Sequence, residues 1–221
     1  MAELPVYDFR TDIKNILVTP QIRSRFLKMA VGQFNEGHTH DLGHEIFLIL
    51  QGQAEFNIDG KKATLGPGQL CIALTDEWHS VENVGDEEVI MYLSVTPHIQ
   101  PTHTRWTEDG TKLPPNFAPN TNYDLAMDRT TPTAELVDNC VAASATFAAA
   151  AETHTTTMRE QADAIKAALA QGDQEAVRQA RDTMWHALSN VYSTLAEFSE
   201  VWNEFGSRTV DPDYPEKQEA E

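Results

Sequence analysis

A small antiparallel β-barrel followed by an α-helical hairpin is the fold that the sequence predicts, and three observations carry it. Up to about residue 105, short runs of alternating apolar residues are separated by turn signals, with no helical pattern between them. From Pro132 onward the apolar spacing changes to a helical period. Residues 106–130, between these stretches, show no period. The expected organisation is a barrel over 1–105, an irregular connecting arm over 106–130, a helical hairpin over 131–206 and an acidic disordered tail over 207–221.

The strands follow in order. Residues 25–31 and 45–51 alternate, Gly52 breaks the second run, and 54–58 follows it. Asp59-Gly60 is a two-residue hairpin signal, because both central positions of a type I′ turn require positive φ. Residues 61–65 return from it, Gly66-Pro67-Gly68 turns again, and 69–74, 79–83 and 89–95 complete the set. Seven or eight short strands at this spacing point to a sandwich or barrel. The arm carries Pro97, Pro101, Pro114, Pro115 and Pro119 nearby or within it. Trp106 and Phe117 are expected to pin it to the barrel surface.

In the helical part, Thr131 is expected to cap, Pro132 suits the first helical position, and Glu135 sits in the first turn. Val137, Cys140, Ser144, Phe147, Ala151, Met158, Ile165 and Leu169 mark the first stripe. The weak helix formers Thr155-Thr156-Thr157 are expected to divide this helix. Gln171-Gly172-Asp173 ends it and caps the next. The second stripe runs through Val177, Met184, Leu188, Val191, Leu195, Phe198, Trp202 and Phe205, with Gly206 expected to stop the helix. A two-helix hairpin covers only part of so long a stripe. Pairing with a second copy as a four-helix bundle is therefore expected, making a homodimer.

Charge excludes several classes of partner. Sixteen Lys+Arg against 34 Asp+Glu give a net charge of −18, which disfavours a nucleic-acid backbone or an anionic lipid surface. Apolar runs such as residues 46–50 are far short of the ~20 residues of a membrane helix. The N-terminal residues lack the pattern of a signal peptide, and Cys71 and Cys140 make no disulfide framework. A cytoplasmic protein with reduced thiols is expected.

Four of the eight histidines, His38, His40, His44 and His79, fall in one short window. His38 and His40 are two apart on an extended chain, so both side chains face one way. Glu45 opens the next strand, and His79 opens a later strand that a barrel can bring alongside. Three imidazoles and a carboxylate converging inside a barrel suit a divalent transition metal with coordination positions left for water, O₂ or substrate. His44 is expected to face away from the others. His154 and His186, near the two helical stripes, are read as packing residues.

The residues that carry this cluster also carry a resemblance. Gly32-x5-His38-x-His40-x4-Glu45-x6-Gly52 resembles the first motif of the cupin superfamily at every fixed position. Gly68-x5-Leu74-x-Asp76-x2-His79-x3-Asn83 resembles the second, with Leu74 in place of the motif's proline and Asp76 in place of its second glycine. The resemblance covers about residues 20–100. It implies a cupin jelly roll with His38, His40, Glu45 and His79 holding one divalent metal per chain, from among Fe, Mn, Ni, Co, Cu and Zn.

In cupin dioxygenases that resemble quercetinases, the motif glutamate also takes a proton from the substrate, which would make Glu45 catalytic. Strand parity adds Phe47, Ile49, Val81 and either Met91 with Leu93 or Ile90 with Tyr92 as pocket-lining residues, and His98 and His103 are expected to fold over its mouth. The resulting expectation is an oxygenase for a small enol, phenol or flavonol-like compound. Two alternatives stand beside it: a metal-dependent isomerase or lyase using the same ligands, and a non-catalytic binder of a metal or small ligand with a helical partner-binding module.

Overall fold

Alternation along the strands sets the layout of the first part of the chain. In β4 (His44–Gln51), Glu45, Phe47 and Ile49 are buried in turn while the residues between them are more open. The computed structural model describes residues 4–211 of the chain. They divide into two units, one running to Asp128 and taking in Gly206 onward, the other spanning Arg129–Phe205.

The first unit is a β-sandwich of the jelly-roll kind. Its remaining strands are β1 (Asn15–Thr19), β2 (Ile22–Met29), β3 (Phe34–His38), β5 (Ala54–Ile58), β6 (Lys61–Leu65), β7 (Leu70–Ala73), β8 (His79–Asn83) and β9 (Val89–Thr96). A five-stranded sheet runs β1-β2-β9-β4-β7 and a four-stranded sheet runs β3-β8-β5-β6, with antiparallel pairing throughout. Met29, Phe47, Ile49 and Met91 from one sheet meet Phe56 and Val81 from the other in a common core.

The β5–β6 hairpin turns at Asp59 and Gly60 with φ of 47° and 79°, as a type I′ turn requires. Asn83 ties strand ends together. Its Nδ2 donates to the carbonyls of Met29, Ala30 and Glu87 at 3.2, 3.0 and 2.9 Å, and its Oδ1 accepts from Gly85 N–H at 3.0 Å.

The segment after β9 and the start of the connecting arm are held in this unit by specific bonds. Thr39 and Thr104 exchange backbone hydrogen bonds of 3.1 and 2.8 Å, and Trp106 Nε1 donates to Thr39 Oγ1 at 3.1 Å. A short 3₁₀ turn, Asn120–Tyr123, follows. Phe117 lies where a Cβ on Gly206 would come within 2.9 Å of its ring, so the glycine permits this contact.

The second unit is built from α1 (Thr133–Gln171) and most of α2 (Gln174–Arg208). The sulfur of Cys140 approaches the Val201 carbonyl at 3.7 Å, which places the two helices side by side. Three local expectations are corrected here. Pro132 is the N-cap rather than the first helical residue and offers no side-chain cap. α1 runs unbroken through the threonine stretch, where Thr153 and Thr155 hydroxyls donate to the Ala149 and Ala151 carbonyls at 2.9 and 3.0 Å. α2 passes through Gly206 to Arg208 instead of stopping at the glycine.

The link between the helices follows the sequence. Gly172 takes φ 70° to end α1, and Asp173 Oδ1 accepts from the Glu175 and Ala176 N–H groups at 3.1 and 3.0 Å. Of the acidic tail expected from residue 207, Ser207 and Arg208 are helical, and residues 212–221 lie outside the described residues.

Candidate metal centre

His38 ends β3 and His79 begins β8, and the register of this strand pair sets the two directly opposite. His40 lies two residues beyond His38, and Glu45 enters from β4 in the facing sheet. Glu45 Oε2 lies 2.9 Å from His40 Nε2, 3.0 Å from His79 Nε2 and 4.0 Å from His38 Nε2. One ligand atom from each residue falls within 4.8 Å of all the others.

The turn leading to His79 survives its two departures from the motif. Asp76 adopts φ 63°, a conformation that Asp tolerates better than most residues, and its N–H donates to the His40 carbonyl at 3.0 Å.

Backbone carbonyls orient all three rings. Nδ1 of His38 meets the Glu36 carbonyl at 3.1 Å, Nδ1 of His79 meets the Glu77 carbonyl at 2.9 Å, and Nδ1 of His40 meets the carbonyl of Thr102 in the segment after β9. A carbonyl only accepts, so each Nδ1 carries the hydrogen, and a neutral ring then presents its Nε2 lone pair inward. Those lone pairs face a buried carboxylate that is also an acceptor. His38 Nε2 is buried without a hydrogen-bond partner. Only a cation placed among these atoms satisfies them all, and three imidazole nitrogens with one carboxylate oxygen fit a divalent transition metal.

A proton competes for the same place. Burial alone would raise the Glu45 carboxyl, but hydrogen bonding and charge from His40 and His79 outweigh it and hold the group well below the usual carboxylate range. The same contact raises His79 against the opposing effect of its own burial. His38 goes the other way, to about 4, because of burial and then the charge of His79, so it stays neutral and ready to ligate.

A cavity of about 140 Å³ opens against the cluster. Phe47, Val81, Leu93 and Leu27 form its apolar wall, and His103, Asn35, Arg23 and Arg25 add polar groups. The His103 ring lies tilted, with its centroid 4.7 Å from that of His38 and 4.9 Å from that of His40. Its Nδ1 meets Thr102 Oγ1 at 2.8 Å, and that hydroxyl in turn meets the Tyr123 hydroxyl at 3.0 Å. Burial, followed by repulsion from His38 and His40, keeps the His103 ring neutral.

Other residues expected at the pocket lie elsewhere. Ile49 and Met91 share the inward face but sit deeper in the core, fully buried and away from the cavity lining. Tyr92 points to the opposite face of its sheet, where its hydroxyl meets Ser24 Oγ at 3.0 Å and its ring meets Phe26. His98 is buried against the Tyr123 ring, with centroids 4.7 Å apart, and is not among the lining residues. Burial, then Arg23, then His40 push its pKa down to about 3.

His44 faces outward and accepts from the Thr75 N–H at 3.0 Å. His154 and His186 stand outside the cluster. Cys71 is a free thiol, pushed up to about 12 by burial and then by Glu45.

Arg23 and Arg25 are the residues that the sequence reading passed over. They stand two apart on β2, in phase with Leu27 and Met29, and all four point inward. The signal was the Arg-Ser-Arg spacing just ahead of an apolar run on one strand face, which puts charge where a core residue is expected.

Residues 25–96 match the family described as "Cupin domain". Among curated proteins, the chain is 32% identical over 63 residues to the "Oxalate-binding protein" of Thermotoga maritima, covering 28% of this chain and 52% of that one. It is 30% identical over 91 residues to "Polyketide synthase CurC" of Streptomyces cyaneus, covering 39% and 59%. The chain thus spans little more than half the length of the curated relatives it matches. A solved conserved protein with a double-stranded β-helix domain from Klebsiella pneumoniae is 22% identical, with a TM-score of 0.41 over 43% of this chain and 91% of that one. The cupin match thus falls within the barrel, and two long helices follow it in the chain.

Proposed function

We propose that this cupin domain holds one divalent transition metal on His38, His40, Glu45 and His79 and acts as a metal-dependent oxygenase on a small enol or phenol. The observation that carries the reading is the set of three Nε2 atoms, each aimed by a carbonyl at its Nδ1, gathered around one buried carboxylate oxygen. A bound metal would supply Lewis acidity and redox capacity to an oxygen donor of the substrate.

The chain's own groups supply the rest. Glu45 Oε2 takes the proton that an enol or phenol loses on binding. Phe47, Val81 and Leu93 hold the hydrocarbon part and keep water from it. His103, neutral and joined through Thr102 to Tyr123, is placed to hydrogen-bond the substrate. Size narrows the range of substrates. A cavity of about 140 Å³ is close to the roughly 150 Å³ that accommodates benzene, which favours a compact enol or a single ring over a flavonol.

An isomerase or lyase with the same ligands is the nearest alternative. The binder reading draws support from the relative named for binding oxalate. For the helices, we infer self-association, with Trp185 and Tyr192 exposed on α2 and Val137 and Val141 exposed on α1. No described helix is long and apolar enough to cross a membrane, and a cytoplasmic location is part of this proposal.

The test is elemental analysis of the wild type and His79→Ala, purified without chelator, followed by oxygen uptake with an enol and catechol panel. About one equivalent of Fe, Mn, Ni, Co or Cu, lost in the variant, with oxygen consumed, supports the oxygenase. Zinc with no oxygen uptake favours the isomerase or lyase, and a ligand recovered unchanged favours the binder. No metal after reconstitution refutes the metal centre.

A further inference from the structure

The cavity beside the histidine cluster contains two guanidinium groups that nothing in the site described so far uses. Arg23 is only 4% exposed. Its nearest counter-charge is Glu45, with Nη2 3.9 Å from Oε1, beyond hydrogen-bond distance. Its guanidinium lies 5.4 Å from the Tyr123 ring centroid. Neither Arg23 nor Arg25 makes a side-chain hydrogen bond to a described residue, and the Nε atoms of both are buried without a partner. A buried guanidinium N–H without an acceptor is costly unless something else answers it.

The two arginines also repel each other. The Arg25 guanidinium is lowered first by burial and then by Arg23, with Asp124 and Glu45 acting in the opposite direction. Two guanidiniums line this side of the cavity against the single carboxylate of Glu45. Such a pocket calls for an anion, and a planar fork of N–H groups matches a carboxylate in two-point contact.

We propose that Arg23 and Arg25 form a carboxylate-binding subsite next to the histidine cluster. The ligand is then a small acid whose carboxylate meets the arginines while a neighbouring enol, phenol or hydroxyl oxygen reaches the imidazole cluster. The second half of this statement rests on the metal reading above, and the first half does not. The apolar wall and the cavity of about 140 Å³ set the scale at an acid of one ring or smaller.

The experiment is calorimetric titration of the full chain with two matched pairs of probes, salicylate against salicylamide and oxalate against oxamide. It is run on metal-loaded and on metal-free protein, with metal content measured on each sample. At least one acid is expected to bind tenfold or more tighter than its amide, and to keep some of that preference in metal-free protein. Arg25→Gln is expected to weaken the preferred acid tenfold or more, to leave its amide unchanged and to hold the wild-type metal content. Arg23→Gln is expected to do the same, and Arg25→Lys to recover only part of the loss.

Equal binding of acid and amide in both pairs, or no binding of any probe, overturns the subsite. An acid preference that Arg25→Gln and Arg23→Gln leave intact also overturns it. A protein that takes up no metal yet still prefers the acid refutes the metal reading and leaves the subsite standing, so the two failures are separable.

Discussion

Replacing Glu45 with Gln removes the one carboxylate of the cluster while keeping nearly the same shape. In metal-free protein the loss includes the contacts to His40 and His79 and the buried attraction to Arg23. At 3.9 Å, and with an effective dielectric of about 20, two unit charges attract by about 4 kcal/mol. The Gln amide returns roughly 1 kcal/mol by donating to a facing imidazole nitrogen. A net loss of about 3 kcal/mol is expected, in line with the roughly 3–5 kcal/mol seen when one partner of a buried pair is removed. The metal effect should be larger, since even residues that merely support a ligand cost roughly 10–100-fold in affinity, and Glu45 would be a ligand itself. The assay pairs metal titration with urea unfolding in chelator, followed by tryptophan fluorescence with Trp78 and Trp106 reporting on the barrel unit. A variant that binds metal within threefold of the wild type and unfolds within 1 kcal/mol of it would refute both the ligand role and the electrostatic argument.

Three further outcomes are expected. Asn83→Ala removes the side-chain hydrogen bonds to three carbonyls and one N–H, so it should cost roughly 3 kcal/mol in urea unfolding while metal content in the folded protein stays at the wild-type level. His98, with a folded pKa of about 3 against an unfolded value near 6.5, takes a proton only in the unfolded chain between those values. Stability should therefore fall as pH drops from 6.5, by about 2 kcal/mol at pH 5 from this group, and His98→Gln should shrink the pH 7 to pH 5 difference by that amount. Cys71, raised to about 12, should remain a thiol at pH 8 and react with iodoacetamide far more slowly than a free cysteine in peptide mapping, and rapid labelling of folded protein would contradict its buried setting.

Local spacing and strand parity made most of the barrel legible in the sequence. The strands from 45 to 95, the Asp59-Gly60 turn and the Gly172-Asp173 junction depend on neighbours a few residues away. Two strands were not visible for the opposite reason. β1 is short, with Leu17 exposed, and β3 (Phe34-Asn35-Glu36-Gly37-His38) has no alternation and exists because β8 offers it a partner. Its Gly37 packs so closely on Trp78 that an added Cβ would overlap the indole, a contact no local pattern announces. The threonine run in α1 misled because propensity counts an isolated helix, whereas the Thr153 and Thr155 hydroxyls here find carbonyls one turn back.

The candidate ligands could be read from the sequence alone, because His38 and His40 share a face by simple alternation and Glu45 and His79 open strands of the same barrel. Parity also gave the inward direction of Phe47, Ile49 and Val81. Depth along the barrel came from the register of distant strands, which sets Phe47 and Val81 at the cavity and leaves Ile49 and Met91 in the core. Only the tertiary structure decided that Thr102, 62 residues from His40, would lend its carbonyl to that ring. Only it brought Arg23 to within 3.9 Å of Glu45. Alternation fixes which way a side chain points, and the pairing of strands far apart in the chain fixes what it meets there.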